Sequence, residues 1–214
     1  MKIKKEAENI YSVVYDTQYE LTMSFVRLQE FYESPKFKGE YFTLEEYMDY
    51  WAVNFGNGSF DYPVRWSGFN IPGAVLSNWI EIFEESVLRE KEIVLINRLR
   101  KVFKRDKKSF SNEVYIIGAH KGKDCRSVIN HEMAHAFYNL NPKYRRDMNK
   151  LIEGYFSNDI INAKERLIQM GYCDDVILDE IQAYWSTGGI GNIYHPLDQR
   201  FEFRDCYRKY VYGM

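Results

Sequence analysis

Residues Val128–Phe137 read VINHEMAHAF, and the centre of the stretch is His131-Glu132-Met133-Ala134-His135. On a helix, side chains four apart stand one above the other on a single face. His131 and His135 can therefore offer two imidazole nitrogens to one metal ion, with Glu132 beside it. Ile129, Met133, Ala134 and Ala136 are uncharged, Phe137 is apolar, and no proline interrupts the run before Pro142.

Upstream, Glu113–Ala119 reads EVYIIGA, rich in β-branched and aromatic residues and followed by the polar turn residues KGKD. This is the clearest strand signal in the chain. A strand leading directly into a helix that bears H-E-x-x-H resembles the zincin metallopeptidases. The resemblance extends over about residues 113–185. It implies a zinc ion, a strand at the edge of a sheet whose free backbone groups pair with an extended peptide substrate, and a third protein ligand beyond the motif. Of the two main branches, the metzincin pattern H-E-x-x-H-x-x-G-x-x-H is absent, because Leu140, Asn141 and Pro142 close the helix where its Gly and His would stand. The thermolysin-like gluzincins use a later Glu instead. Glu180, in LDEIQAYW, is the favoured candidate, with Glu153 in LIEGYF second and His195 or His120 behind. Small Ala183 would let the helix of Glu180 approach the motif helix, and Tyr184 would share the face of Glu180. The gap from His135 to Glu180 is longer than the usual thermolysin-like spacing, and an inserted helix over 158–170 accounts for it.

The mechanism that this resemblance implies is hydrolysis by water on Zn²⁺, with Glu132 taking the proton of the water and passing it to the leaving amine. Tyr184, Tyr194 and His195 are the candidates for stabilising the oxyanion. Asp179 is a candidate for orienting a ligand histidine. Asp174 and Asp175 read as capping residues of the Glu180 helix.

Before the strand, the chain reads as helices joined by aromatic-rich loops. Thr17 with Glu20 and Thr43 with Glu46 have capping-box spacing, predicting helices over about 17–33 and from Thr43 to the turn Gly56-Asn57-Gly58. The stretch 59–73, SFDYPVRWSGFNIPG, reads as an ordered loop whose Phe60, Tyr62, Trp66 and Phe69 either plug into the core or line a cleft. From Ala74 to Lys104 the period is helical, as one helix or two joined near Ser86, with Val75, Trp79, Ile82 and Phe83 and then Ile93, Ile96, Leu99 and Phe103 facing inward. The basic run at 97–110 reads as a solvated helix end, which favours cations. The C-terminal segment from Pro196 reads as a helix or an extended arm.

Composition bounds the rest. A chain of 214 residues with 45% hydrophobic content can bury a core. Its 29 basic and 31 acidic residues nearly cancel, so no global field draws it to nucleic acid or membrane. Cys125, Cys173 and Cys206 are odd in number and widely spaced, against both a disulfide framework and a cysteine zinc site. No signal peptide or membrane-spanning run is evident, which predicts a soluble, cytoplasmic protein. The expected fold is a single-domain, predominantly helical α+β protein, zincin-like, with a small sheet whose edge strand precedes the H-E-x-x-H helix. An aromatic-rich helical part occupies about 1–110 and the metal-binding part 111–214. The expected activity is that of a zinc-dependent peptidase acting on a peptide or protein. The alternatives are an inactive, peptidase-like binding or regulatory protein that holds a partner with its aromatic N-terminal part, and hydrolysis of a non-peptide amide.

Overall fold

The computed structural model describes residues 1–154, 157–188 and 200–213, and the chain divides into two units, Met1–Cys125 and Arg126–Met214. The fold is α+β and predominantly helical, with one small mixed sheet.

The N-terminal unit opens with a hairpin of β1 (Lys2–Ala7) and β2 (Ile10–Tyr15). Asn9 in its turn has φ 64°, a left-handed conformation that Asn tolerates better than most residues. Helices α1 (Gln18–Glu33), α2 (Leu44–Asn54) and the short α3 (Tyr62–Arg65) lead to strand β3 (Gly68–Pro72), then α4 (Gly73–Phe83), α5 (Glu90–Asp106) and strand β4 (Tyr115–His120). The strand order is β1-β2-β4-β3, with β4 parallel to β2 and antiparallel to β3.

This order corrects the expectation of an edge strand. Strand β4 is hydrogen-bonded on both sides, from Ile10↔Tyr115 to Tyr15↔His120 against β2 and from Gly68↔Ala119 to Pro72↔Tyr115 against β3. Its backbone groups are spent within the sheet, so it cannot take up a peptide by strand addition. Its near-continuous apolar run is that of an interior strand, buried from Tyr115 to Ala119. Helix α1 lies close over it at Gly118, where a Cβ would come within 2.9 Å of Leu21 Cδ1 and 3.1 Å of the Phe25 ring.

The helix starts follow from capping chemistry. Thr17 Oγ1 accepts from Glu20 N at 3.2 Å, and Thr43 with Glu46 forms a complete capping box, at 3.1 Å and 2.6 Å. Residues 74–104 form two helices, broken by a turn in which Glu84 has φ 48°. Their inward stripes are Leu76, Trp79 and Phe83, then Leu95, Ile96, Leu99 and Phe103. Ile82 and Ile93, expected inside, are 36% and 37% exposed, because each lies beside rather than on the stripe that the neighbouring residues define. Stretch 59–73 is not a plain loop: it holds α3 and β3, with Tyr62 and Phe69 each 2% exposed in the aromatic core.

At the centre of this unit Arg27 and Glu92 form a buried ion pair, 3% and 2% exposed. Arg27 Nε donates to Glu92 Oε1 at 2.8 Å, and its Nη2 pairs with Glu92 Oε2. The guanidinium also donates to the carbonyls of Phe42 and Val87, at 3.4 Å and 3.2 Å, and sits 4.9 Å from the Phe83 ring centroid.

The C-terminal unit is helical among its described residues. Helix α6 (Cys125–Leu140) carries the H-E-x-x-H motif, and α7 (Pro142–Glu153) starts at once, with the Asn141 side chain capping Lys143 N and Tyr144 N at 3.0 Å and 3.1 Å. Then come α8 (Ser157–Gln169), where a helix was expected over 158–170, α9 (Ile177–Thr187) after a 3-10 turn at Asp174–Val176, and α10 (Arg200–Tyr212). Helix α9 ends on Gly188, whose φ of 70° suits a left-handed cap. Tyr144, Met148, Ile181, Ala183, Trp185, Phe203 and Tyr207 build the apolar centre of this unit. Tyr207 Oη donates to the Asn130 carbonyl at 2.9 Å, and Tyr138 Oη to Asn149 Oδ1 at 2.6 Å, tying α6 to α10 and α7. No helix among the described residues is long and apolar enough to cross a membrane.

Candidate metal centre

Two helices of the C-terminal unit supply the site. Helix α6 presents His131 and His135 on one face, their ring centroids 5.1 Å apart and their planes at 84°. Helix α9 presents Glu180, only 2% exposed although its side chain is ionisable. One ligand atom from each of His131, His135 and Glu180 lies within 4.8 Å of the others, and His135 Nε2 is 3.6 Å from Glu180 Oε1. Donors bound tetrahedrally to zinc at ordinary bond lengths are about 3.4 Å apart, so His135 and Glu180 already stand near that separation. Ala183, fully buried one turn after Glu180, keeps this part of α9 slim.

Each histidine has a partner at Nδ1. His135 Nδ1 is 2.9 Å from Asp179 Oδ1, and the same oxygen accepts from Gln182 Nε2 at 2.8 Å. Gln182 in turn accepts from Tyr144 Oη at 2.8 Å. An ionised carboxylate can only accept, so the amide nitrogen of Gln182 faces Asp179, its oxygen faces Tyr144, and His135 donates from Nδ1. His131 Nδ1 lies 3.1 Å from Thr187 Oγ1, and that hydroxyl donates to the Ala183 carbonyl at 2.8 Å.

The electrostatics are those of a site with too much negative charge. Burial alone would push His135 down, but Asp179 and Glu180, helped by Glu132, outweigh it and hold the imidazole well above its ordinary range. Burial pushes Glu180 up to about 8 against the pull of His135, with Asp179 and Glu132 adding to the rise. Desolvation, and after it the charge of His135, push the partly buried His131 down to about 3, so it stays neutral. Glu180 Oε2 is buried without a hydrogen-bond partner, which costs about 1–3 kcal/mol unless something else satisfies it. A divalent cation would relieve both the excess charge and the orphaned oxygen. The residues present therefore fit a metal, and two imidazoles with one carboxylate suit zinc.

Glu132 is 6% exposed, next to His131 in sequence, and close enough for its charge to act on both His135 and Glu180. The Tyr184 ring lies 4.6 Å from that of His131. Glu153, the rival third ligand, is exposed at the end of α7 and outside the group. His120, at the end of β4, faces the Lys121 carbonyl through Nδ1 at 2.9 Å and is likewise outside it. Asp174 pairs with Lys164 at 3.0 Å, and the N-cap position of α9 is held by Val176, which offers no side-chain cap. Tyr194 and His195 lie outside the described residues.

Three residues of the surroundings escaped the sequence reading: Tyr144, Gln182 and Thr187. Thr187 was findable, because it lies seven residues after Glu180 and shares its helical face. Tyr144 and Gln182 read as ordinary members of amphipathic helices and carry no signal until the helices are packed. Comparison with protein-family models, curated proteins and solved structures finds no match to the chain.

Proposed function

We propose that the protein is a zinc-dependent metallopeptidase with a gluzincin-like ligand set, His131, His135 and Glu180, that hydrolyses peptide bonds in a peptide or protein substrate in the cytoplasm. The observation that carries the reading is the convergence of one donor atom from each of these residues within 4.8 Å, with the Glu180 carboxylate buried and its Oε2 lacking a hydrogen-bond partner. When bound, zinc supplies Lewis acidity, making water acidic near pH 7 and polarising a carbonyl. The residues of the chain supply the rest. His131 and His135 would bind through Nε2, the ring nitrogens left once Thr187 and Asp179 face Nδ1, and Asp179 would orient His135. Glu132 takes a proton from the attacking water as its oxygen adds to the carbonyl carbon, then delivers that proton to the nitrogen as the C–N bond breaks. Tyr184, against the His131 ring, is the described candidate for donating to the carbonyl oxygen, a contact worth a few kcal/mol in the transition state.

The test pairs metal content with Glu132→Gln. The full-length protein is assayed for bound zinc by elemental analysis and for cleavage of unfolded casein and a fluorogenic peptide library. The expected result is one zinc per chain in both forms, with cleavage lost by about 10²-fold or more in the variant. No metal uptake from supplied zinc overturns the reading. Bound zinc without cleavage by either form favours the inactive, partner-holding alternative, and cleavage confined to non-peptide amides favours the third.

A further inference from the structure

Among the groups around the two histidines, Thr187 has a neutral hydroxyl whose two contacts together bear on where the His131 ring proton sits. Its hydroxyl has one proton and two acceptor lone pairs. Oγ1 lies 2.8 Å from the Ala183 carbonyl oxygen, which can only accept, and 3.1 Å from His131 Nδ1. With the hydroxyl proton given to Ala183, the shorter of the two contacts, the oxygen faces Nδ1 with a lone pair, and this assignment is what the experiment below reads. A bare Nδ1 would then meet lone pair against lone pair, so Nδ1 must carry the ring proton. A neutral imidazole has one proton, which leaves Nε2 bare.

We infer that Thr187 is a positioning residue for His131: anchored on the Ala183 carbonyl, it holds the imidazole in the tautomer that leaves Nε2 free for a ligand. The inference rests on the metal-centre reading for its purpose, and on hydrogen-bond geometry for its content. It also gives α9 a larger share of the site than one ligand. Asp179 holds His135 through Nδ1 on the first turn, Glu180 follows, and Thr187 holds His131 through Nδ1 on the last. The two histidines on α6 are thus fixed by the helix that brings the third donor. Free imidazole in water favours a proton on Nε2, so a site that needs Nε2 bare gains from an acceptor aimed at Nδ1.

The experiment reads the tautomer directly and needs no metal. Long-range ¹H–¹⁵N correlation spectra of the full-length, metal-free protein at pH 8 distinguish protonated from bare ring nitrogens, with the His131 signals assigned by their loss in His131→Gln. The wild type is expected to carry its His131 proton on Nδ1. In Thr187→Val, which keeps the shape and removes the acceptor, a population with the proton on Nε2 should appear. Zinc affinity, measured by competition with a chromogenic chelator, should fall about tenfold or more, the usual effect of removing a group that orients a metal-bound histidine. Thr187→Ser should restore both. A wild-type His131 protonated on Nε2, a Thr187→Val protein that keeps the Nδ1 proton, or a tautomer change that leaves zinc affinity unaltered each overturns the inference. A wild type that binds no zinc refutes the metal centre instead, and the tautomer of its His131 still decides the role of Thr187.

Discussion

Asp179 is the residue whose replacement reports most directly on whether, and how, the site would hold a metal. Its Oδ1 accepts from His135 at 2.9 Å and from Gln182 at 2.8 Å, and its side chain is 17% exposed. Asp179→Asn can still accept both hydrogen bonds through its amide oxygen and loses only the charge. A charge-assisted hydrogen bond exceeds a neutral one by about 1–1.5 kcal/mol, so zinc affinity should fall by roughly tenfold. The charge also holds a proton on His135, which zinc must displace, and this works the other way. Zinc carries twice the charge of the proton it replaces, so Asp179 favours the metal in the exchange. Asp179→Ala removes the acceptor altogether and leaves two buried donors without a partner. Water can reach a site of this exposure and replace part of the loss. The His135 share then appears as a fall of up to about a hundredfold in affinity, and the Gln182 share as about 1–2 kcal/mol of lost stability in the metal-free protein. Zinc titration of the full-length protein against a chromogenic chelator measures the first, and urea denaturation the second. The order of affinity should be wild type, Asp179→Asn, Asp179→Ala. An Asp179→Ala protein that binds zinc within about threefold of wild type would falsify the assignment of Asp179 as the group that orients His135.

Two further predictions concern the N-terminal unit, which contains Trp51, Trp66 and Trp79, so that tryptophan fluorescence follows its unfolding. Arg27→Met leaves Glu92 buried and unpaired and the Phe42 and Val87 carbonyls without their donor, and should cost about 3–5 kcal/mol in urea denaturation; a loss below about 1 kcal/mol would show that the pair contributes little. Adding Glu92→Leu should recover part of the loss, though not all, because Glu92 Oε2 also accepts from Arg89 N at 2.8 Å. Glu30, whose Oε1 accepts from Tyr62 Oη at 2.7 Å, is pushed up to about 7 from its ordinary 4.5 by burial, against the hydrogen bonds from Tyr62, Tyr47 and Ser34. Raised above its unfolded value, it contributes stability that is complete below about pH 4.5 and is lost as pH climbs through 7. Relative to Glu30→Gln, wild type should therefore lose up to about 3 kcal/mol between those limits, and parallel pH profiles for the two proteins would refute it.

The candidate site was legible in the sequence to the extent that its groups follow one-dimensional rules. His131 and His135 are four apart on a helix, and Glu180 is followed at helical spacing by Ala183, Tyr184 and Thr187, so each element could be read by itself. The packing of α9 against α6 could not be read in that way, and it is this packing that separates Glu180 from Glu153. The N-terminal sheet shows the opposite case. Its two capped helices were legible because Thr17 and Thr43 mark them locally. Three of its four strands were not. In Lys2–Ala7 only Ile3 stands out among charges, Ile10–Tyr15 is short, and Gly68–Pro72 is hidden among the Gly, Pro and aromatic residues of a stretch that reads as a loop.

That failure has a consequence for the substrate. A strand directly before an H-E-x-x-H helix suggests an edge that a peptide can extend, but β2 and β3 occupy both sides of β4. Strand addition at β4 is therefore closed to this chain, and a peptide held there would have to displace β2 or β3. Among the described residues the edges of the sheet are β1 and β3. Strand β1 carries Lys2, Lys4 and Lys5, and lysines along an edge oppose pairing with another chain. Strand β3 is buried from Phe69 to Pro72 and ends in a proline, which lacks a backbone donor. If the protein cleaves peptides as proposed, their selection rests on side-chain contacts more than on backbone pairing. The expected signature is cleavage that depends on residue identity near the scissile bond and tolerates N-methylation of backbone amides distant from it. If one distant N-methyl group abolishes cleavage of an otherwise good peptide, a backbone ladder does form, and it must form on an edge other than β4.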